Sequence, residues 1–266
     1  MPFISEKEKL ISEEFLKNGY VIRDANHTEE LDRIRSDIFY ILNNRKPTSD
    51  KELEIFFDKI HNNIDRSILN EKRIELIAKL NSLPWVRESY YKIAKEHLDL
   101  IVGNELSMQL RINLSIQFSK DDSSLLPLHC DTWSGDSPFE VVLWIPLVDC
   151  YDTKSMYILS PEESKKLYNS FNDYMGLDSE ALYEQIKDEV EFINIKYGQV
   201  LIFNQGIPHG NRVNETPDTR WSMNCRFKSV FSPYGDKKLG EFFEPINLKV
   251  ASKIGMDYFQ PKSKEE

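Results

Sequence analysis

Apolar residues in the first hundred positions recur at helical spacing. Leu31, Ile34, Ile38, Ile41 and Leu42 fall on one side of a helix, and Thr28 stands where its cap is expected. Further upstream, Ser5 and Glu8 have the spacing of a capping box, which satisfies the free amides at a helix start. That helix is predicted to stop near Gly19, before a short extended piece, Tyr20-Val21-Ile22. Two or three more amphipathic helices are predicted from Asp50 to Leu100, with breaks near Asn70 and at Pro84.

The period changes after Gly103. MQLRINLSIQF (108–118) alternates: Gln109, Arg111, Asn113, Ser115 and Gln117 fall on one face, and Leu110, Ile112, Leu114, Ile116 and Phe118 on the other. FEVVLWIPLVD (139–149) is nearly continuous in apolar residues, as a strand buried on both faces would be. EFINIKYGQVLIFNQ (191–205) reads as two short strands turned at Tyr197-Gly198, and TRWSMNCRFKSVF (219–231) alternates again. Segment 161–190 is polar and helix-like, interrupted at Gly176, and reads as an insertion. Several short strands at such intervals predict an α+β chain built on a double-sheet, jelly-roll type barrel. The expected layout is one domain over 1–266. Residues 1–102 form a helical support, 103–235 a jelly-roll core, and 236–266 a C-terminal extension whose tail, PKSKEE, frays.

Composition narrows the class. At 266 residues, 40% hydrophobic and 12% aromatic, the chain can fill one sizeable core. A formal net charge of -10 argues against nucleic acid or an anionic membrane surface as the main partner. No apolar run approaches the roughly 20 residues needed to span a bilayer. Cys130, Cys150 and Cys225 are scattered and odd in number, which disfavours a disulfide framework and favours a reducing compartment. The opening MPFISEKEKLISEE has no apolar stretch of secretory type, so a cytoplasmic location is expected.

Five histidines remain to be placed. His27, His61 and His97 lie in the helical half and read as surface or capping residues. His129 and Asp131 differ: in extended chain, residues two apart project to one side, so an imidazole and a carboxylate can meet at one point. Eighty residues after His129, His209 sits in the turn after the predicted strand Gln199 to Asn204. Two histidines and a carboxylate on one face of a metal leave three positions open, the set suited to Fe(II) and oxygen chemistry. Arg220 follows eleven residues after His209, with Ser222 on the same face. A guanidinium matches the far carboxylate of a keto-acid bidentately, and a hydroxyl can add a bond. The competing reading of Arg220 is an ion pair with Asp218.

These residues carry a resemblance that covers most of the chain. FLKNGYVIRDANHTEELDRIR, LPLHCDTW, VVLWIPLVD and HGNRVNETPDTRWS resemble, in that order, segments of the phytanoyl-CoA dioxygenase-like 2-oxoglutarate/Fe(II) oxygenases. The resemblance implies a double-stranded β-helix, the jelly-roll or cupin-like barrel, supported by N-terminal helices. It implies Fe(II) held by His129, Asp131 and His209, with 2-oxoglutarate bound by Arg220 and Ser222 and O2 as the second cosubstrate. MQLRIN is similar to a strand in ectoine hydroxylase, which adds Gln109 and Asn113 near the cosubstrate. Asp131 is the carboxylate that halogenases of the superfamily lack, so hydroxylation of a small molecule is expected. RWSMNCRFKSVFSPYG is nearest to bacterial oxygenases of carbohydrate-biosynthesis clusters, and a sugar or polysaccharide precursor is the implied substrate. MYILSPEES departs from the Gly-Ser-His segment common in the family, so no substrate contact carries over there.

Three residues are candidates for substrate contact. Arg226 and Arg111 would suit an anionic or phosphorylated molecule, and Trp133 with segment 119–124 would line the entrance. Two other readings stand beside this one. Gly198, Gly206 and His209 approach the second cupin motif, with Asn204 in place of its proline, which would suit a metal-dependent sugar isomerase or epimerase. A non-catalytic ligand-binding jelly roll is the third.

Overall fold

The computed structural model describes residues 3–260; the tail PKSKEE lies outside them. Helix α1 (Glu6–Asn18) begins with the capping box: Glu8 N donates to Ser5 Oγ at 3.1 Å, and Ser5 N to Glu8 Oε2 at 3.4 Å. It ends at Gly19, whose φ of 79° is the left-handed conformation that glycine adopts without strain. Strand β1 (Tyr20–Asp24) follows, then α2 (Thr28–Asn43), which buries Leu31, Ile34 and Ile38. Thr28 is the first helical residue of α2 and not its cap. The cap position falls on His27, whose ring bonds to Glu29 instead of the helix amides.

Helix α3 (Asp50–Lys59) is capped by Ser49, and α4 (Arg66–Ser82) by Asp65. The break predicted near Asn70 sits earlier, in a 3-10 turn at Ile60–Asn62. Asn70 remains helical because its side chain faces solvent and accepts from Arg73 Nη2 at 2.7 Å. Helices α5 (Val86–Lys92) and α6 (Lys95–Ile101) follow Pro84.

Segment 108–118 is not one strand. It divides into β2 (Leu106–Gln109) and β3 (Asn113–Gln117), which both pair with β9 (Arg220–Ser229). Met108 is opposite Phe227 and Asn113 opposite Asn224, so residues 109–112 face only 225 and 226. The surplus bulges outward, and Leu110 and Arg111 are exposed on it. Asn81 fills the gap by accepting from Ile112 N at 2.8 Å.

The larger antiparallel sheet runs β1–β7–β4–β9–β2–β10, with β3 also on β9. Here β4 is Glu140–Pro146, β7 is Gln199–Asn204 and β10 is Phe243–Asn247. Every residue of β4 is buried, as its continuous apolar run predicts. Strand β1 comes from the helical half and β10 from the C-terminal extension, so both ends of the chain build this sheet. A smaller sheet runs β6–β5–β8, with β5 at Met156–Leu159, β6 at Val190–Phe192 and β8 at His209–Asn211. The strands on either side of Tyr197-Gly198 therefore belong to different sheets. Between β5 and β6 lie α7 (Pro161–Asn169), a 3-10 turn at Phe171–Tyr174, and α8 (Ser179–Ile186). A last helix, α9 (Val250–Met256), ends the described chain. Among the described residues, no helix is long and apolar enough to cross a membrane.

Strand β9 shows how the fold positions chemistry. Trp221, Met223, Cys225 and Phe227 are at most 1% exposed and join the core shared with the helices. Trp221 packs edge-on against Phe57 of α3 at 5.0 Å, and its Nε1 donates to Phe57 O at 2.9 Å. With that face committed, Arg220, Ser222, Asn224 and Arg226 point the other way, into a cavity.

Candidate active site

The cavity measures about 380 Å³ and is lined by polar residues of β3, β8 and β9 together with Val142, Trp144, Met156 and Phe203. His129, Asp131 and His209 meet on its wall, with one ligand atom from each within 4.8 Å of the others. The backbone creates this meeting. His129 and His209 form an isolated antiparallel bridge, with N–H to O distances of 3.0 and 2.9 Å, and Asp131 N donates to Gln205 O at 3.1 Å. Each histidine Nδ1 lies 2.8 Å from a backbone oxygen, of Pro127 and Ile207 respectively. A carbonyl can only accept, so Nδ1 carries a hydrogen, and in the neutral tautomer Nε2 turns a lone pair to the cluster.

Electrostatics favour a neutral ring at His209 and an ionised carboxyl at Asp131. Burial, with His129 nearby, pushes the His209 pKa down to about 4. Burial opposes ionisation of Asp131, but the neighbouring His129 ring and the Arg226 charge outweigh it and hold the carboxyl below its ordinary range. Two imidazole nitrogens and one carboxylate form a donor set that fits a divalent first-row ion.

The arginine end of the cavity is charged and incomplete. Arg220 is 4% exposed; its Nη2 donates to Ser115 Oγ at 2.8 Å, while its Nε has no hydrogen-bond partner among the described residues. Asp218, the competing partner, pairs with Lys59 instead. No carboxylate among the described residues stands within ion-pair distance of Arg220, and burial lowers its pKa to about 10. The Ser222 hydroxyl beside it is also buried and unpartnered. Such groups are costly unless an anion completes them.

Arg226 is in the opposite state. Its Nη2 is 2.9 Å from Asp131 Oδ2, and its Nε is 2.9 Å from Gln205 Oε1 and 3.5 Å from Asp136 Oδ1. Lys237 Nζ then meets Asp136 Oδ2 at 2.6 Å.

The other sequence candidates divide. Asn113 lines the cavity and donates to Asn224 Oδ1 at 3.0 Å. Gln109 is buried behind the lining, its Oε1 accepting from Arg226 N at 3.2 Å. Arg111 does not face the cavity, because the bulge between β2 and β3 carries it to the surface. Trp133 is 44% exposed and packs on Phe171 at 5.6 Å; the 3-10 turn Asp131–Ser134 rotates it away, and Ser134 lines the cavity in its place. Ser115, Gln205, Asp136 and Lys237 were missed. Ser115 shares the alternation of β3 and was legible in principle. The other three are brought in by loops and strand ends that carry no periodic signal.

No family model and no curated protein sequence matches the chain. Solved structures do. The non-heme monooxygenase ThoJ in its apo form aligns with a TM-score of 0.58 at 12% identity, over 90% of this chain and 84% of that one. HygX from Streptomyces hygroscopicus with nickel and 2-oxoglutarate bound gives 0.51 at 12% identity, over 89% and 90%. EctD from S. alaskensis with bound Fe gives 0.51 at 14% identity, over 87% and 79%. At such identities the likeness is one of fold: helices packed on antiparallel sheets, shared with these three proteins.

Proposed function

We propose that this protein is an Fe(II)- and 2-oxoglutarate-dependent oxygenase that hydroxylates a small molecule, with its two sheets forming a double-stranded β-helix. The observation that carries the reading is Arg220, a buried guanidinium without a counter-charge among the described residues, in the same cavity as His129, Asp131 and His209. A metal triad alone fits many metalloproteins. A triad with a cationic socket waiting for an anion fits a dicarboxylate that bridges both.

His129, Asp131 and His209 would hold the iron, and Arg220 with Ser222 would hold the far carboxylate of 2-oxoglutarate. When bound, the two supply the oxidising chemistry: O2 is reduced as the keto-acid loses CO2 to become succinate, and a substrate C–H becomes C–OH. The chain's own part is placement. Backbone carbonyls fix both imidazoles, Ser115 fixes Arg220, and Trp144, Val142 and Phe203 keep the cavity apolar between its polar groups. Asn113, Asn224 and Lys237 supply polar contacts suited to the hydroxyls of a carbohydrate-like substrate. Arg111 is withdrawn from the substrate set by its position.

Anaerobic Fe(II) and 2-oxoglutarate added together should give the weak visible charge-transfer band of a chelated keto-acid. Arg220→Ala should lose the band at matched 2-oxoglutarate. A wild-type protein that binds Fe(II) yet shows no band, with Arg220→Ala indistinguishable from it, refutes the reading. Succinate release screened across nucleotide sugars and free sugars then identifies the substrate.

A further inference from the structure

Arg220 and Arg226 lie on one strand and line one cavity, yet their donors are spent differently. Arg220 meets only a hydroxyl. Arg226 is held by Asp131 at Nη2, by Gln205 and Asp136 at Nε, and by Gln109 Oε1, 3.5 Å from its Nη1. Its side chain is 15% exposed. An arginine placed to read a substrate would keep its fork free toward the cavity, whereas here Nε and Nη1 donate to glutamine oxygens and Nη2 is ion-paired with Asp131.

We propose that Arg226 is a positioning residue for the metal site, holding Asp131 so that one carboxylate oxygen alone faces the two histidines. The proposal rests on the reading of the triad as a metal site. Asp131 Oδ2 is taken by Arg226, while Oδ1 lies 3.5 Å from His129 Nε2 and faces the ligand cluster. A carboxylate free to rotate can give a metal one oxygen or two. Occupying one oxygen with a fixed guanidinium removes the second mode and keeps a position open. Gln205 ties the arrangement together. Its backbone oxygen accepts from Asp131 N at 3.1 Å and its side-chain oxygen from Arg226 Nε. Its amide then donates to Glu140 Oε2 at 2.9 Å and Ser137 O at 3.0 Å, so the glutamine cannot turn. Outer contacts of this kind typically change metal affinity 10- to 100-fold when removed.

The test uses Co(II) as an anaerobic spectroscopic probe of the full-length protein, with wild type, Arg226→Met, Arg226→Lys and Gln205→Leu titrated side by side. Coordination number is read from the intensity of the Co(II) d–d bands and affinity from the titration. Arg226→Met should bind Co(II) at least tenfold more weakly, with altered band intensity. Arg226→Lys keeps the charge and loses the fork, so it should shift the bands in the same direction. Gln205→Leu should do so by a few-fold in affinity. If Arg226→Met fails to fold by circular dichroism, the other two variants decide. Wild-type affinity and bands in every folded variant overturn the proposal. A wild-type protein that binds Co(II) but gives no 2-oxoglutarate response refutes the oxygenase reading alone. One that binds no Co(II) refutes both.

Discussion

Two arginines of identical chemistry occupy opposite states six residues apart, and the difference is measurable residue by residue. Arg220→Leu removes a buried cation that has no counter-charge among the described residues. It is expected to leave the ligand-free fold as stable as before, or more stable by about 1 kcal/mol, while abolishing stabilisation by 2-oxoglutarate. Denaturant midpoints with and without the keto-acid check both halves. His209 makes a second prediction, about pH. Its folded pKa of about 4 lies below the ordinary histidine value of 6.5. As pH falls, the unfolded chain therefore takes up this proton first. The metal-free fold loses stability from about pH 6.5 down to 4, by at most about 1.4 kcal/mol per pH unit from this group. Asp131 acts in the same direction in a lower window: its carboxyl is held below 3.8, so its contribution is lost only as pH falls under acid conditions. His209→Gln, followed by urea denaturation from pH 7 to 4, should flatten the slope relative to wild type. Parallel slopes would contradict the assignment.

At the scale of elements, the site depends on two loops pressed together. Asp236 N donates to Gly135 O at 2.9 Å, Ser137 Oγ to Pro233 O at 2.6 Å, and Lys237 reaches across to Asp136. A Cβ on Gly235 would stand 2.3 Å from Gly135 O and 3.0 Å from Ser137 N, both backbone atoms that cannot swing aside. Gly235→Ala is therefore expected to cost about 1–3 kcal/mol and to weaken metal binding, because the displaced loop carries Lys237 and Asp136 away from Arg226. Thermal denaturation and Co(II) titration of this variant provide the check. The bulge between β2 and β3 acts on the same scale. It converts an alternating run into two strands and moves Arg111 out of the face that carries Asn113 and Ser115.

For the whole molecule, on the proposed reading, metal and keto-acid would join elements that are far apart in the chain, so binding should stabilise the fold as a unit. Each ligand at one hundred times its Kd adds about 2.7 kcal/mol. Scanning calorimetry should show Co(II) raising Tm in wild type and Arg220→Leu alike, with 2-oxoglutarate adding a further rise in wild type only. Much of this was legible beforehand. The capping box, the stop at Gly19, the buried run of β4 and the alternation of β9 are local, and one stretch of side chains decides each of them. The shared side of His129 and Asp131, and the shared face of Arg220 and Ser222, were legible for a related reason: residues two apart in extended chain project the same way. Asn70 misled because an amide that faces solvent does not break a helix. Contacts across long separations were not legible, since nothing local to Gln205, Asp136 or Lys237 says what will lie opposite them. The sequence by itself determined that Arg220, Ser222, Asn224 and Arg226 share one face of β9, through the two-residue period of extended chain. Only the tertiary structure decided which of two inward arginines keeps its charge free, because that depends on which carboxylates the other loops bring within reach.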